Sequence, residues 1–456
     1  MRQAKKDIVS TQLGNSNIGK LLLSYSIPAI VGMTASSIYN IIDRIFIGQS
    51  VGPMAIAGLA ITFPIMNLSA AIGSLVGAGS STMISIRLGE KKSASAMRFL
   101  GNALVINIIL GILFAILGLL FLDPLLIAFG ASQNTIEYAR DFMRIILAGN
   151  VFTHLYIGLN NIIRSSGHPT KAMLITLATV LCNLILAPIF IFYFHWGIKG
   201  AASATIISQI IGTIWVITHF INKKNIVYFR KRYLNIKWSI TGKIFSMGMS
   251  SFLINFCACI IVTVMNKRLQ QYGGDYAIGA YGIINSIVGF LIMIVFGFNL
   301  GMQPIVGFNY GAKQYDRVLK TLKLSLLIGT CITSIGFFIC ECFPWWLARC
   351  FNDDKDLLDM TVKGMRIIAL SYPIVGGQVV ASNFFQAVGK PKIAIFLSLS
   401  RQVLFLLPAL FVLPHYFQLQ GVWFASPCAD IAAALVTFIV LTYNYNLLKK
   451  QKNNIC

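Results

Sequence analysis

Long apolar runs alternate with short polar segments over nearly the whole chain. A helix that crosses the hydrocarbon core of a bilayer needs about 20 mostly apolar residues. Twelve runs satisfy this requirement, so the pattern predicts an all-α, polytopic membrane protein with twelve transmembrane helices. The predicted spans are approximately 18–46, 53–80, 99–122, 135–160, 171–194, 200–221, 242–266, 277–307, 321–343, 360–386, 393–414 and 421–446.

Composition and charge placement agree with this class of protein. Hydrophobic residues make up 57% of the chain and charged residues 11%, which is too little charge to cover the surface of a soluble protein. The net charge of +23 would suit nucleic-acid binding, but the basic residues lie in alternate loops and at the ends of the chain rather than on a folded basic domain. The clusters are Arg2 with Lys5 and Lys6, Arg87 with Lys91 and Lys92, Arg164 with Lys171, the run from Lys223 to Lys243, Lys313 with Arg317 and Lys320, Lys390 with Lys392, and Lys449 with Lys450 and Lys452. The positive-inside rule then predicts a multi-pass inner-membrane protein with both termini in the cytoplasm and no nucleic-acid partner.

The chain contains an internal repeat at an offset of 222 residues. The matching pairs include Gly79 with Gly301, Gly89 with Gly311, Lys91 with Lys313, Gly167 with Gly389, and Pro169 with Pro391. Each copy has an even number of spans, so the copies share one orientation and form parallel repeats about an axis along the membrane normal. The repeat predicts an N-lobe over 1–222, a basic cytoplasmic linker over 223–241 with solvated charges, and a C-lobe over 242–456.

Two carboxylates fall deep inside predicted spans, where an ionisable side chain is costly and is by default a functional candidate. Asp43 in span one could bind and exchange a proton or Na⁺. It could instead form an interfacial ion pair with Arg44, although adjacent helical residues do not share a face. Pro28, upstream in the same span, removes a backbone hydrogen bond and can kink the helix.

Asp430 in span twelve is the second carboxylate, and Arg401 in span eleven is the one base of comparable depth. The two could form a functional polar site or a structural salt bridge. His154 in span four is lone, which favours a satisfied core histidine over a proton relay. The chain has no phosphate-binding GxxxxGK[ST] motif and no metal-ligand spacing, so we expect no cofactor and an energy source in an ion gradient.

Short segments in a fixed order over nearly the whole length resemble the MATE (multidrug and toxic compound extrusion) family, in its MepA/DinF-like bacterial branch. The segments include Ser26-Ile-Pro28, Ile86-Arg-Leu-Gly89, Ile163 to Pro169, Asn183 with Pro188, Gly197 to Thr205, Gln386 to Pro391, Arg401-Gln402, and Pro427 to Asp430. The resemblance implies V-shaped lobes in a bacterial membrane that export drugs, often cationic, by antiport with H⁺ or Na⁺.

The resemblance also implies site residues. An ion-coupling site would draw on Asp43, Asn183 and Thr205, which could hold Na⁺, with Asn40 assisting from the turn before Asp43. Asp430 and Arg401 would form a polar site in the C-lobe. Amide side chains are expected to line the substrate path, namely Gln378, Asn383, Asn285 and Gln209. We expect small-molecule drugs and the lipid bilayer as partners, and no obligate protein partner.

One departure from the family pattern concerns the coupling ion. The family reads Asn-x-x-x-Asp-Pro in span five, whereas this chain has Ala187 in place of that carboxylate. Because hard cations such as Na⁺ favour several oxygen ligands, the loss favours proton coupling through Asp43. The alternatives are a lipid or lipid-linked oligosaccharide flippase of the same superfamily, which the single deep arginine disfavours, and a membrane-embedded enzyme, for which no constellation of catalytic groups is present.

Overall fold

The computed structural model describes residues 12–351 and 354–453, and this part of the chain is helical with no strand. The basic residues Arg2, Lys5 and Lys6 lie outside it. The twelve transmembrane helices are α1 (Ile18–Val51), α2 (Pro53–Gly89), α3 (Ser93–Leu120), α4 (Ile136–Ala148 with Asn150–Ser165), α5 (Pro169–Pro188), α6 (Gly197–Ile221), α7 (Trp238–Gly274), α8 (Tyr276–Gly311), α9 (Tyr315–Cys342), α10 (Lys355–Ala369 with Tyr372–Ala387), α11 (391–417) and α12 (419–453). We refer to α1–α6 as the N-lobe and α7–α12 as the C-lobe.

The count of twelve spans depends on how three irregular helices are divided. Within the described ranges, nine helices are individually long and apolar enough to cross a membrane, and two bent pairs raise the number to eleven. The twelfth follows from Gln418, whose φ of 50° and ψ of −129° break the helix that runs from residue 391 to residue 453 into α11 and α12. The predicted number of spans is therefore confirmed.

The helices are longer and less regular than the hydrophobic pattern predicted. The helix α2 continues beyond the predicted end at residue 80 to Gly89, into the polar loop. The predicted spans 135–160 and 360–386 are each a pair of helices, bent by 57° in α4 and by 53° in α10. The bends fall at Gly149 and Ser371, which are equivalent positions of the repeat. Hydropathy records apolar length and not direction, so it could not show either bend.

Backbone geometry confirms the repeat. Lys91 and Lys313 both adopt a left-handed conformation, with φ of 60° and 59°, and Gly167 and Gly389 do so with φ of 99° and 76°. Such values are uncommon for a residue other than glycine, so the lysine pair marks the same tight turn in both lobes. These turns lie at one end of the molecule, together with the other basic loops. We refer to this end as the basic face.

The lobes share a core at the basic face and have separate cores away from it. One buried apolar cluster contains residues of both lobes, among them Val76 of α2 and Met302 of α8. A second cluster lies within the N-lobe and contains Ala187, and a third lies within the C-lobe and contains Met265. A shared core at one end and two separate cores at the other give the molecule its V shape.

Glycines allow the helices of the two lobes to touch at the basic face. A Cβ on Gly248 of α7 would lie 1.8 Å from the carbonyl oxygen of Leu75 in α2, and one on Gly79 would lie 2.0 Å from that of Ile244. Only residues without a Cβ permit such backbone approach. Gln303 of α8 also donates a hydrogen bond of 2.6 Å to the Thr82 hydroxyl. We call this contact of α2 with α7 and α8 the seam.

The segment between α6 and α7 is packed onto the N-lobe rather than freely solvated. Its Ile226, Val227 and Tyr228 are buried. The Asn102 side chain of α3 accepts a hydrogen bond from the Lys237 backbone at 2.9 Å and donates one to the Asn235 carbonyl at 3.4 Å. The basic side chains of the segment are exposed, as predicted, but its backbone is held in place.

The segment before α1 is tied to the C-lobe by one arginine. Arg317 of α9 donates hydrogen bonds to the carbonyl oxygens of Leu13 and Ser16, at 3.0 and 2.8 Å, and to the Asn309 side chain at 2.8 Å. Asn309 donates a further bond to the Leu13 carbonyl at 3.2 Å. These bonds connect residues 13–16 to α8 and α9 across the basic face.

Replacing Arg317 with glutamine is expected to release residues 13–16 from the C-lobe. Hydrogen bonds from a charged donor contribute about 1.5–3 kcal/mol each, so amide hydrogen exchange of this segment should become about tenfold faster or more. Hydrogen–deuterium exchange measured by mass spectrometry tests this. The matched control is Lys320→Gln, an exposed cation one turn further along α9, which should leave the exchange unchanged. Equal protection in both variants would show that the bonds do not hold the segment.

Candidate functional site

Asp43 lies on α1 in the half of the N-lobe away from the basic face. Its Oδ1 is buried and has no hydrogen-bond partner within the part of the chain that the structure describes. The neighbouring Arg44 points elsewhere, with its guanidinium 5.7 Å from the centre of the Phe63 ring on α2. The sequence left open an Asp43–Arg44 ion pair. The two side chains form no salt bridge, although Arg44 is near enough to interact electrostatically with Asp43.

Asn183 of α5 and Thr205 of α6 are in direct contact. The Asn183 Nδ2 donates a hydrogen bond of 3.1 Å to the Thr205 hydroxyl, which itself donates to the Ala201 carbonyl at 3.1 Å. Both side chains are buried, and the Asn183 Oδ1 has no partner among the described residues. The contact therefore leaves one amide oxygen available inside the N-lobe.

Tyr39 of α1 lies near both this pair and Asp43, and no feature of the sequence marks it as a site residue. The Tyr39 side chain lies close enough to Thr205 and to Asp43 for electrostatic interaction with both. Asn40, which we expected to assist, is exposed, and its Nδ2 donates to the Ser36 carbonyl of its own helix at 2.8 Å. Residues three and four positions before Asp43 both lie near its face, so spacing alone could not choose between them.

Two further N-lobe predictions concern residues 28 and 187. The helix α1 continues as one helix through Pro28, and a bending role for this proline remains a prediction. Ala187 is fully buried in the apolar core of the N-lobe, one turn after Asn183. The alanine methyl group packs against apolar neighbours there and offers no oxygen ligand. Asp43 therefore supplies the carboxylate of the site.

Arg401 and Asp430 form an ion pair in the C-lobe. The Arg401 Nε donates to the Asp430 Oδ1 at 2.6 Å, and the Ser371 hydroxyl donates to Oδ2 at 2.7 Å. Of the two alternatives that the sequence left open, the structure shows a direct ion pair. Arg401 lies in a π-helical turn, Ser400–Leu406, and Ser371 lies at the bend of α10. Two helix irregularities thus bring the pair together.

A cavity of about 240 Å³ lies beside this ion pair. Asn285, predicted to line a substrate path, is at its wall, together with Tyr372 and Gln402. A second cavity of about 60 Å³ shares Arg401 and Gln402 and is lined by the predicted residues Gln378 and Asn383. Gln209, the fourth predicted residue, lies in the N-lobe instead and accepts a hydrogen bond from Thr153.

The C-lobe cavity and the N-lobe site occupy equivalent positions of the repeat. Met265 stands 222 residues after Asp43. The register of the repeat slips by one before Gly200, which matches Gly421, so Ser426 stands at the position of Thr205. Both Met265 and Ser426 line the cavity. The scaffold was therefore duplicated with different chemistry: a carboxylate with a free oxygen in the N-lobe, and a cavity with a paired ion in the C-lobe.

His154 belongs to a buried polar cluster at the bend of α4. Its Nε2 lies 3.2 Å from the Ser69 hydroxyl of α2 and 3.4 Å from the Asn150 side-chain nitrogen. Asn150 also donates to the Gly111 carbonyl of α3 at 3.3 Å. The cluster joins three helices, but the buried Nδ1 of His154 has no hydrogen-bond partner among the described residues, so the histidine is satisfied only in part.

A sequence model of the MatE family matches residues 28–189 and 246–411, one segment in each lobe and together more than half of the chain. The chain belongs to the MatE family. MatE proteins are transporters, so this MatE protein is a multi-pass membrane transporter and not an enzyme.

Named relatives and solved structures are similar over nearly the full length. The chain is 28% identical to "Multidrug export protein MepA" of Staphylococcus haemolyticus (strain JCSC1435), with 95% of each chain covered. It is 35% identical to a chain in a solved structure of the "MATE multidrug transporter DinF-BH", with a TM-score of 0.89 and coverage of 96% and 99%. The fold also matches "Outward-facing conformation of a multidrug resistance MATE family transporter of the MOP superfamily", at 23% identity, a TM-score of 0.91 and coverage of 97% and 99%.

Proposed function

We propose that this MatE protein is a secondary active exporter of amphipathic, often cationic compounds, driven by a proton that binds to Asp43. The buried Asp43 oxygen, which no other described group satisfies, is the observation that carries the proposal. A buried carboxylate oxygen without a hydrogen-bond partner is costly, and binding a cation at this position removes that cost. The proposed site comprises Asp43, Tyr39, Thr205 and Asn183.

The number and type of oxygen atoms at the site favour one coupling ion over the other. The site offers the Asp43 carboxylate and the neutral oxygens of Asn183, Thr205 and Tyr39. Ala187 supplies no second carboxylate. A proton needs one basic oxygen, whereas Na⁺ favours several oxygen ligands around it. The composition of the site therefore supports H⁺ as the coupling ion over Na⁺. A bound Na⁺ would have to use the same residues as ligands.

Alternating access is proposed to occur by rocking of the two lobes, over 1–222 and 242–456, joined by the linker 223–241. The positive-inside rule supports a cytoplasmic position for the basic face and both termini, in a bacterial cytoplasmic membrane. The seam then closes the cytoplasmic side while the lobes are separate on the outer side. Export requires that proton binding favour one of the two states over the other.

Ethidium transport in proteoliposomes tests this function. The dye is expected to move against its own gradient when a pH gradient is imposed, because proton flow supplies the free energy. A Na⁺ gradient alone should drive no more than the leak seen in protein-free liposomes. Movement only down the dye gradient would identify a channel, and drive by Na⁺ alone would replace the proton in the mechanism.

A further inference from the structure

The C-lobe cavity presents an arginine whose charge is only partly engaged. Asp430 has both carboxylate oxygens occupied, by Arg401 and by Ser371, and only 3% of the residue is exposed. The Arg401 side chain is 30% exposed, and it uses Nε alone in the ion pair. Its two terminal nitrogens donate to no other group in residues 12–351 and 354–453. Both residues of the ion pair line the cavity, and the Arg401 side chain is the more exposed of the two.

Two further polar groups at the same cavity wall are buried and unsatisfied. The Tyr372 hydroxyl and the Gln402 Oε1 have no hydrogen-bond partner among the described residues. Tyr372 follows the bend of α10, and Gln402 follows Arg401 in the π-helical turn. A phenol hydroxyl can donate to an anion, and the Gln402 amide offers both a donor and an acceptor. Unsatisfied buried groups at a cavity are expected to be satisfied by what the cavity binds.

The remainder of the cavity suits an apolar ligand body. Ile261, Met265 and Ile284 supply apolar wall, and the Tyr281 ring supplies an aromatic face. The volume of about 240 Å³ holds a small ring system, and the adjoining cavity of about 60 Å³ shares Arg401. Small-molecule sites have this character, an apolar wall with a few placed polar groups.

We propose that this cavity binds amphipathic compounds through a carboxylate, which the terminal nitrogens of Arg401 hold with help from the Tyr372 hydroxyl. Guanidinium nitrogens match the two oxygens of a carboxylate in geometry and in charge. The inference rests on the proposed transport function, since it names a class of compound that the exporter takes. It adds acids and zwitterions to the cationic compounds proposed above.

Equilibrium binding to the full-length protein in phosphatidylcholine nanodiscs tests the inference without any ion gradient. The probes are 2-naphthoate, its neutral methyl ester and the cation 2-naphthylmethylammonium, compared by isothermal titration calorimetry. The wild-type protein should bind 2-naphthoate about tenfold more tightly than the ester, since charge-assisted hydrogen bonds are the stronger ones. Arg401→Gln should abolish this preference, and Asp430→Asn should retain it.

Removing Arg401 alone leaves Asp430 buried without its cation, which can destabilise the fold. The double variant Arg401→Gln/Asp430→Asn removes both charges and should also lose the preference for 2-naphthoate. Arg268→Gln is the matched control, because Arg268 lies on α7 and its guanidinium bonds Gln271 instead. Tighter binding of the ammonium probe than of 2-naphthoate, or an unchanged preference in the double variant, would overturn the proposal.

Two kinds of ligand carry a suitable carboxylate, a small aromatic acid and a fatty acid of the membrane. Competition with decanoate separates them. Displacement of 2-naphthoate by decanoate indicates a fatty acid, and no displacement indicates an aromatic acid. Asp43→Asn should retain 2-naphthoate binding, because Asp43 lies in the other lobe. If ethidium is not transported, the proposed export function is wrong and the carboxylate site is unaffected. If 2-naphthoate does not bind, the carboxylate site is wrong and the export function is unaffected.

Discussion

Replacing Asp43 with asparagine should lower ethidium transport driven by a pH gradient by about 10- to 100-fold, the range of typical coupling free energies. Asparagine keeps the shape and the hydrogen-bonding capacity of the side chain but cannot take up a proton. The buried Oδ1 would then belong to a neutral amide, and the two protonation states that drive the cycle would be lost. Proteoliposome transport at matched protein density measures the effect.

Asp123→Asn is the matched control for this substitution. Asp123 also lies in the N-lobe, but it is about half exposed and accepts hydrogen bonds from Arg140 at 2.7 and 3.1 Å. These bonds hold the pKa of Asp123 below its ordinary value, so this carboxylate stays ionised throughout a transport assay at neutral pH. Full transport in Asp43→Asn would exclude Asp43 as the coupling residue, and equal loss in both variants would indicate a general defect.

Placing a methyl group at Gly248 should open the seam. In Gly248→Ala the new Cβ would lie 1.8 Å from the Leu75 carbonyl oxygen, which is backbone and cannot turn away. Overpacking of this kind costs about 1–3 kcal/mol, so the state with the seam closed should lose population by about tenfold or more relative to the open state. Ethidium export should also fall, because the transport cycle needs both the state with the seam closed and the state with the seam open.

Gly242→Ala provides the control on the same helix, since a Cβ at Gly242 meets no atom within 4 Å. Spin labels at the exposed positions Lys92 and Lys320 report the distance between the lobes at the basic face, in a background without the native cysteines. Double electron–electron resonance should show a longer distance in Gly248→Ala and the wild-type distance in Gly242→Ala. A wild-type distribution in both would mean that the seam tolerates the methyl group.

The functional residues differ in how clearly the sequence alone marks them. Asp43 and Asp430 could be selected from the chain alone, because a charge inside an apolar run stands out whatever the packing. Asn183 and Thr205 required the family resemblance, since amides and hydroxyls are common within spans. Four further site residues could not be selected from the sequence, because their roles depend on neighbours on other helices. They are Tyr39, Ser371, Tyr372 and Gln402.

The sequence by itself determined the class of the protein. Twelve apolar runs, basic residues in alternate loops and an internal repeat established a polytopic helical protein of two parallel halves, because lipid requires every span to satisfy its own backbone. The same repeat indicated equivalent glycines, and the structure places one of them, Gly79 of α2, in the seam.

Only the tertiary structure decided how the buried charges are engaged. It pairs Arg401 with Asp430 through a π-helical turn and a helix bend, and it leaves an Asp43 oxygen without a partner among the described residues, beside Tyr39. These outcomes depend on helix direction and on contacts between helices far apart in the chain. Hydrophobic periodicity along one helix contains neither kind of information.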